Sequence, residues 1–370
     1  MMERTNTDID RFLRSEMTVF KGYAACKSPE VVAQRLGIQV ADVVKLDANE
    51  NNYGASPRVA RALADFTYFN IYPDAAQTEV RQELEHYTKV PAEQIVLGAG
   101  SDQLIELILK LFAAPGDEII NLGPSFPMYS FYAGLGGNKV VEVARDENFY
   151  VDIASIRRAV SPKTKLIFLA NPNNPTGTMT SFEDVRTLAE IGVPLVVDEA
   201  YFEFTGVTAI PLMKTYQNVM VLRTFSKWSG LAGLRVGYGL FPPLVADCLH
   251  SIRDPYNVNI MALIALKESL RDIDYLMGNV DKIIQERERL LLRFTEMDWL
   301  KPYPSQSNFI LCDLLRGDAK QVQQKLEDKG ILVRHYADAR LKNCIRFSVG
   351  KPTESDKLLT ALQEIGGQIK

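Results

Sequence analysis

The chain has 370 residues, 46% of them hydrophobic and 24% charged, with a formal net charge of −4 at pH 7. That length buries a substantial core and leaves room for two domains, while so even a charge balance gives nucleic acid no footing. No apolar run reaches membrane-spanning length, and the first twenty residues, with Glu3, Arg4, Asp8, Asp10, Arg11, Arg14 and Glu16, hold no apolar core of a signal peptide. No membrane partner is therefore expected, and a cytoplasmic location is. Cys26, Cys248, Cys312 and Cys344 are scattered, as are His86, His250 and His335, which points away from a disulfide framework and from a metal site.

A leading segment to about residue 42 mixes charge with short apolar patches and contains Lys21-Gly22-Tyr23-Ala24-Ala25-Cys26-Lys27. It runs into Leu46-Asp47-Ala48-Asn49-Glu50-Asn51-Asn52-Tyr53-Gly54, rich in turn formers and read as a loop, and Ile71-Tyr72-Pro73-Asp74 reads as another. Residues 94–98 are a predicted strand. Ser101-Asp102 can then cap a helix whose apolar positions Leu104, Ile105, Ile108, Leu109 and Phe112 recur at helical spacing. Gly116-Asp117 turns the chain into a strand at 118–122. Further strands are predicted at 165–170, 194–197, 218–222 and 235–240, with helical segments such as 182–191 between most of them. This alternation predicts a mainly parallel sheet covered on both faces, with its ligand site at the carboxyl ends of the strands. After Pro255 the texture changes to a long charge-laced helix at about 274–295, short strands at 308–312, 331–335 and 344–349, and a closing helix at 354–365. That is the pattern of a smaller α+β domain, and a cleft between two domains favours small ligands.

Polar motifs follow the predicted strands. Asn171-Pro172-Asn173-Asn174-Pro175-Thr176-Gly177 follows 165–170, Asp198-Glu199-Ala200-Tyr201 follows 194–197, and Ser226-Lys227 with Arg235 follows 218–222. A lysine that loses its proton can link covalently to an aldehyde, and a serine hydroxyl with a guanidinium can grip a phosphate. Gly98-Ala99-Gly100-Ser101-Asp102 joins a strand to a helix N-terminus, where free backbone N–H groups favour an anion. Read singly, each has a plainer reading: Ser-Lys as a solvated turn, Asp198 as the cap of the turn after it, Tyr-Pro-Asp as a loop, Arg346 as an exposed strand residue.

Taken together, these segments resemble the aspartate-aminotransferase fold family of enzymes that use pyridoxal 5′-phosphate (PLP), and more closely its histidinol-phosphate aminotransferase branch, from about residue 23 to about residue 350. The resemblance implies an α/β chain of fold type I. Its large domain, with a mainly parallel seven-stranded sheet, would span 46–258, and a small α+β domain 259–370 would be completed by an N-terminal arm, 1–45. Lys227 would be the covalent anchor and proton carrier, Asp198 the partner of the ring nitrogen, and Asn174 and Tyr201 the donors to the phenolic oxygen. Phe126 would stack on the ring, and Gly100, Ser101, Asp102, Ser226 and Arg235 would surround the phosphate, leaving Asn171 to form the turn.

Toward substrate, the resemblance implies Tyr23, Asn51 and Tyr256 in the pocket, Arg334 at the substrate's phosphate and Arg346 at an α-carboxylate. Tyr72 matches a tyrosine that crosses to the neighbouring cofactor phosphate, which implies a homodimer with shared sites. The partners implied are a small-molecule amino donor and a 2-oxo acid. The reaction would be ping-pong amino transfer between L-histidinol phosphate and 2-oxoglutarate, a step of histidine biosynthesis. An aromatic amino acid aminotransferase and a threonine-phosphate decarboxylase use the same parts and stand as alternatives. A PLP-binding regulator would need a preceding helix-turn-helix domain, for which the leader has no room.

Overall fold

The computed structural model describes residues 9–18, 22 and 26–369. Within them the strands are β1 (Val44–Leu46), β2 (Ile95–Gly98), β3 (Glu118–Asn121), β4 (Lys139–Glu142), β5 (Thr164–Ala170), β6 (Leu195–Asp198), β7 (Val219–Thr224), β8 (Gly237–Leu240), β9 (Leu300–Pro302), β10 (Phe309–Leu314), β11 (Ile331–His335) and β12 (Cys344–Ser348). They form a seven-stranded sheet of order β2-β8-β7-β6-β5-β3-β4 and a five-stranded sheet of order β1-β11-β12-β10-β9. In the larger sheet β4, β3, β5, β6 and β7 pair in parallel, while β8 is antiparallel to both β7 and β2. Reversing twice makes β2 parallel to the rest. The carboxyl ends of β2, β3, β5, β6 and β7 therefore open on one edge, and the expected α/β architecture with a smaller α+β domain is the one that forms.

The central strands are apolar on both faces because helices cover both. Along β5, Leu166, Phe168 and Ala170 enter one buried cluster while Ile167 and Leu169 enter the other, as the two-residue period of a strand requires. The helix Ser101–Phe112 turns Leu104, Ile105, Ile108 and Leu109 into the first cluster. Ser181 caps the helix Phe182–Ala189 by accepting from Asp184 N, and Asp152 caps Ile153–Ala159 in the same way.

Three strands escape the sequence pattern, among them the three-residue β9. Strand β4 is only four residues long, two valines between a lysine and a glutamate at the sheet edge, and β1 is three residues inside a turn-rich stretch. β1 pairs in parallel with β11, so the leader joins the small sheet through Leu46. The helix Ile260–Leu270 lies past residue 258 yet packs on the helices Pro57–Asp65 and Thr78–Thr88 of the large domain. The passage to the small domain comes in the helix Ile273–Thr295, whose buried stripe Leu276, Val280, Ile283, Arg287, Leu290 and Phe294 follows alternating steps of four and three. Among the described residues no helix is long and apolar enough to cross a membrane.

Candidate active site

Five strand ends and the loop after β1 enclose a cavity of about 290 Å3 whose lining includes Ser101, Asp102, Phe126, Asn174, Asp198, Tyr201, Ser226, Lys227 and Arg235. The lysine turn leaves β7 at Thr224, and the Thr224 hydroxyl fixes it by donating to Ser226 Oγ at 3.0 Å and accepting from Ser226 N at 3.1 Å. Gly230 completes the turn at φ +71°, where a Cβ would lie 2.5 Å from the Gly54 carbonyl carbon. Only glycine lets the turn close against the 49–54 loop. Within the cavity Lys227 Nζ donates to Ala48 O at 3.1 Å.

The anion cup is assembled from two segments. Gly100 at φ +78° precedes the helix Ser101–Phe112 with no side-chain cap, so the first-turn N–H groups are left for another acceptor. A Cβ on Gly100 would meet Arg235 Nη2 at 2.5 Å, so its absence is what lets the guanidinium reach this helix end. Arg235 itself sits in the left-handed region at φ +56°, an arrangement that costs a non-glycine residue about 1 kcal/mol or more and concentrates at ligand clamps. Its Nη2 holds Asp102 Oδ2 at 2.9 Å.

Burial sets the charge states. Asp198 is enclosed at the end of β6, and the loss of water pushes its carboxyl up from 3.8 to about 6, against the donation from Tyr129 O–H (2.6 Å to Oδ2) and from Ala200 N (3.1 Å to Oδ1). Burial, with the Arg346 charge behind it, lowers the Lys227 ammonium from 10.5 to about 8. The buried Tyr201 phenol is raised, so it stays protonated and able to donate; its oxygen accepts from Asn49 Nδ2 at 2.9 Å. Asn174 accepts Arg346 Nη1 on its Oδ1 at 2.7 Å, which leaves its amide hydrogens as the group it can offer the cavity.

The phosphate-bearing aldehyde cofactor implied by the resemblance fits these residues. An uncapped helix N-terminus and a guanidinium meet where Gly100 leaves room, an enclosed carboxylate stands at one side, and a lysine of lowered proton affinity at another. Arg334 and Arg346 are directly opposed partners on β11 and β12. Arg346 Nη2 also donates to Asp47 O at 2.5 Å, and the same carbonyl takes Cys26 Sγ at 3.7 Å, which in turn meets Arg334 Nη1 at 3.6 Å. Asn171 closes its own turn, exchanging hydrogen bonds with Thr180.

Other expected residues stand elsewhere. Tyr23 lies outside the described residues. Asn51 is buried away from the cavity lining, donating from Nδ2 to Trp228 O at 2.7 Å and so tying the lysine turn to the 49–54 loop. Tyr72 and Tyr256 stack on each other on the surface, centroids 4.4 Å apart, and neither lines the cavity. Sequence reasoning missed Tyr129, Asn49 and Glu50. Glu50 lines the cavity with its carboxylate held by Lys45 at 2.5 Å, and the one signal for it and Asn49 was that they fall in a turn-rich stretch. Tyr129 sits in an apolar helical run and carried no signal.

The sequence matches the family described as Aminotransferase class I and II over residues 41–362. It is 54% identical over 360 residues to the histidinol-phosphate aminotransferase of Dehalococcoides mccartyi (strain CBDB1), covering 97% of this chain and 99% of the relative. It is 40% identical to histidinol-phosphate aminotransferase 1, chloroplastic, of Arabidopsis thaliana, covering 96% and 86%. The crystal structure of histidinol-phosphate aminotransferase from Sinorhizobium meliloti in complex with pyridoxal-5′-phosphate superposes with a TM-score of 0.87 at 28% identity, covering 96% of this chain and 98% of that one.

Proposed function

The chain belongs to the class I and II aminotransferases, and from that premise we propose that it is a PLP-dependent transaminase exchanging the amino group between L-histidinol phosphate and 2-oxoglutarate. The substrate of the relatives named above supports the choice. The observation that carries it is the cross-strand pair Arg334 and Arg346. Two guanidinium forks in register on neighbouring strands are suited to gripping one anion presented to both. Histidinol phosphate carries a phosphate ester where an amino acid carries its carboxylate. Both forks then serve one dianion, and Arg346 serves the α-carboxylate of glutamate.

The cofactor, when bound, supplies an aldehyde to take up the amino group and a cationic ring that draws electrons from the substrate's α-carbon. The chain does the rest. The Ser101 helix end, Ser226 and Arg235 hold the phosphate, and Phe126 covers the ring. Asp198 keeps the ring nitrogen protonated, and Asn174 and Tyr201 donate to the phenolic oxygen. Lys227 would hold the aldehyde, and its free amine would move the proton at the substrate's α-carbon. One site serves donor and acceptor in turn, which makes the kinetics ping-pong.

The unit that works is a homodimer. Tyr68, Phe69, Ile71 and Tyr72 are exposed in one stretch, Tyr72 by 76%, and a second copy of the chain is the partner that would cover them. A half-reaction panel tests the substrate. With glutamate absent as competitor, L-histidinol phosphate should convert the cofactor's aldehyde absorbance to that of the amine form faster than phenylalanine does, and phosphothreonine should release no carbon dioxide. A preference for phenylalanine would replace the substrate, and decarboxylation would replace the reaction.

A further inference from the structure

The aromatic ring of Tyr129 is fully buried and fixed on two sides. It lies flat against Phe168 of β5, centroids 4.7 Å apart at 12°, and meets Phe126 edge to face at 5.6 Å and 82°. Its hydroxyl has one outlet, the 2.6 Å bond to Asp198 Oδ2, while the other carboxylate oxygen takes Ala200 N. Tyr129 thus joins the residue assigned to the ring's face, Phe126, to the residue assigned to the ring's nitrogen, Asp198. We propose that Tyr129 is a positioning residue for amino transfer, its phenol holding the Asp198 carboxylate ionised and aimed at the cofactor's ring nitrogen.

The electrostatics of the surroundings make such a donor necessary. Asp198 is enclosed, no cation among the described residues is hydrogen-bonded to it, and the carboxylates of Asp102 and Glu199 both oppose its ionisation. Tyr129 and Ala200 N oppose that effect. The phenol is itself raised far above its ordinary value by burial and by Asp198, so it remains the donor across the working range; Tyr201 and the Arg145 guanidinium are the other titratable groups facing it. A carboxylate that turned neutral would lose its hold on a cationic ring. Removing the phenol's donation therefore favours the neutral carboxyl and moves its titration to higher pH.

The proposal rests on the PLP reading, and the test separates the two. Pyridoxamine 5′-phosphate has no aldehyde and cannot be linked to Lys227, so its affinity for the full-length, cofactor-free chain, followed by protein fluorescence from pH 5 to 9, reports the noncovalent grip alone. For the wild type, affinity should fall as pH drops through about 6. In Tyr129→Phe, which keeps both ring contacts, binding near pH 7 should weaken roughly ten- to hundredfold and the acid limb should shift upward. The probe's phosphate titrates in the same range in both proteins, so the difference between the curves belongs to the carboxylate. If Tyr129→Phe does not fold, 3-fluorotyrosine at position 129, a stronger donor of nearly the same shape, should shift the limb downward. An acid limb that stays in place in whichever substituted protein is measured overturns the role of Tyr129, whereas no binding to the wild type overturns the PLP reading itself.

Discussion

Lys227 is placed where an ammonium is poorly solvated and faces another cation, and both effects favour the neutral amine that an aldehyde requires. With its pKa brought down to about 8, roughly a tenth of the side chain is neutral at pH 7, against less than a thousandth for an exposed lysine. The rate of covalent cofactor attachment to the apoprotein should accordingly rise with pH, bend near 8 and level off above it, a profile measurable by absorbance after mixing. Lys227→Ala should bind cofactor without a borohydride-reducible link and lose turnover by several orders of magnitude. Mass spectrometry of the reduced wild type locates the link directly. Modification of any lysine other than Lys227 would remove the residue from its role.

At the scale of elements, the register of the β11–β12 pair sets Arg334 opposite Arg346, and on the proposed function this pair would select the substrate. Arg334→Leu should cost about 2 to 3 kcal/mol with histidinol phosphate, roughly thirty- to two-hundredfold in the half-reaction's kcat/KM, and much less with glutamate, whose α-carboxylate keeps Arg346. Equal losses with both substrates would make Arg334 a structural residue. The lysine turn, Asp198 and the loop holding Asn174 stood out in the sequence for one reason: each is a polar motif just after a short apolar run, where strand ends are local events, whereas Arg334 and Arg346 came only with the resemblance to the family. Tyr129 was not legible, because its meaning arises only when the helix Met128–Leu135 brings it against the end of β6, sixty-nine residues away in the chain. Asn51 shows the converse. The resemblance put it in the substrate pocket, but the fold gives it the Trp228 carbonyl, a contact between distant loops that local pattern does not contain.

For the whole molecule, the exposed aromatic stretch and the stacked Tyr72–Tyr256 pair lie outside the cavity of their own chain, and a dimer would give them a purpose. In a two-fold assembly each contact occurs twice, so a residue that leaves its own site for the neighbour's does so in both directions. If Tyr72 of the partner subunit completes each cofactor cup, Lys227→Ala and Tyr72→Ala damage different halves of the same composite site. Each parent dimer would then be impaired at both of its sites. A hybrid dimer, however, has one site in which an intact Lys227 meets an intact Tyr72, and one in which both are missing. Denaturing equal amounts of the two variants together and refolding them should therefore restore activity to about a quarter of the wild-type value, since half the dimers are hybrids and each has one sound site. Native mass spectrometry establishes that hybrids have formed. Hybrids without recovered activity would mean that Tyr72 serves no neighbouring site, and a chain that stays monomeric would overturn the dimer altogether.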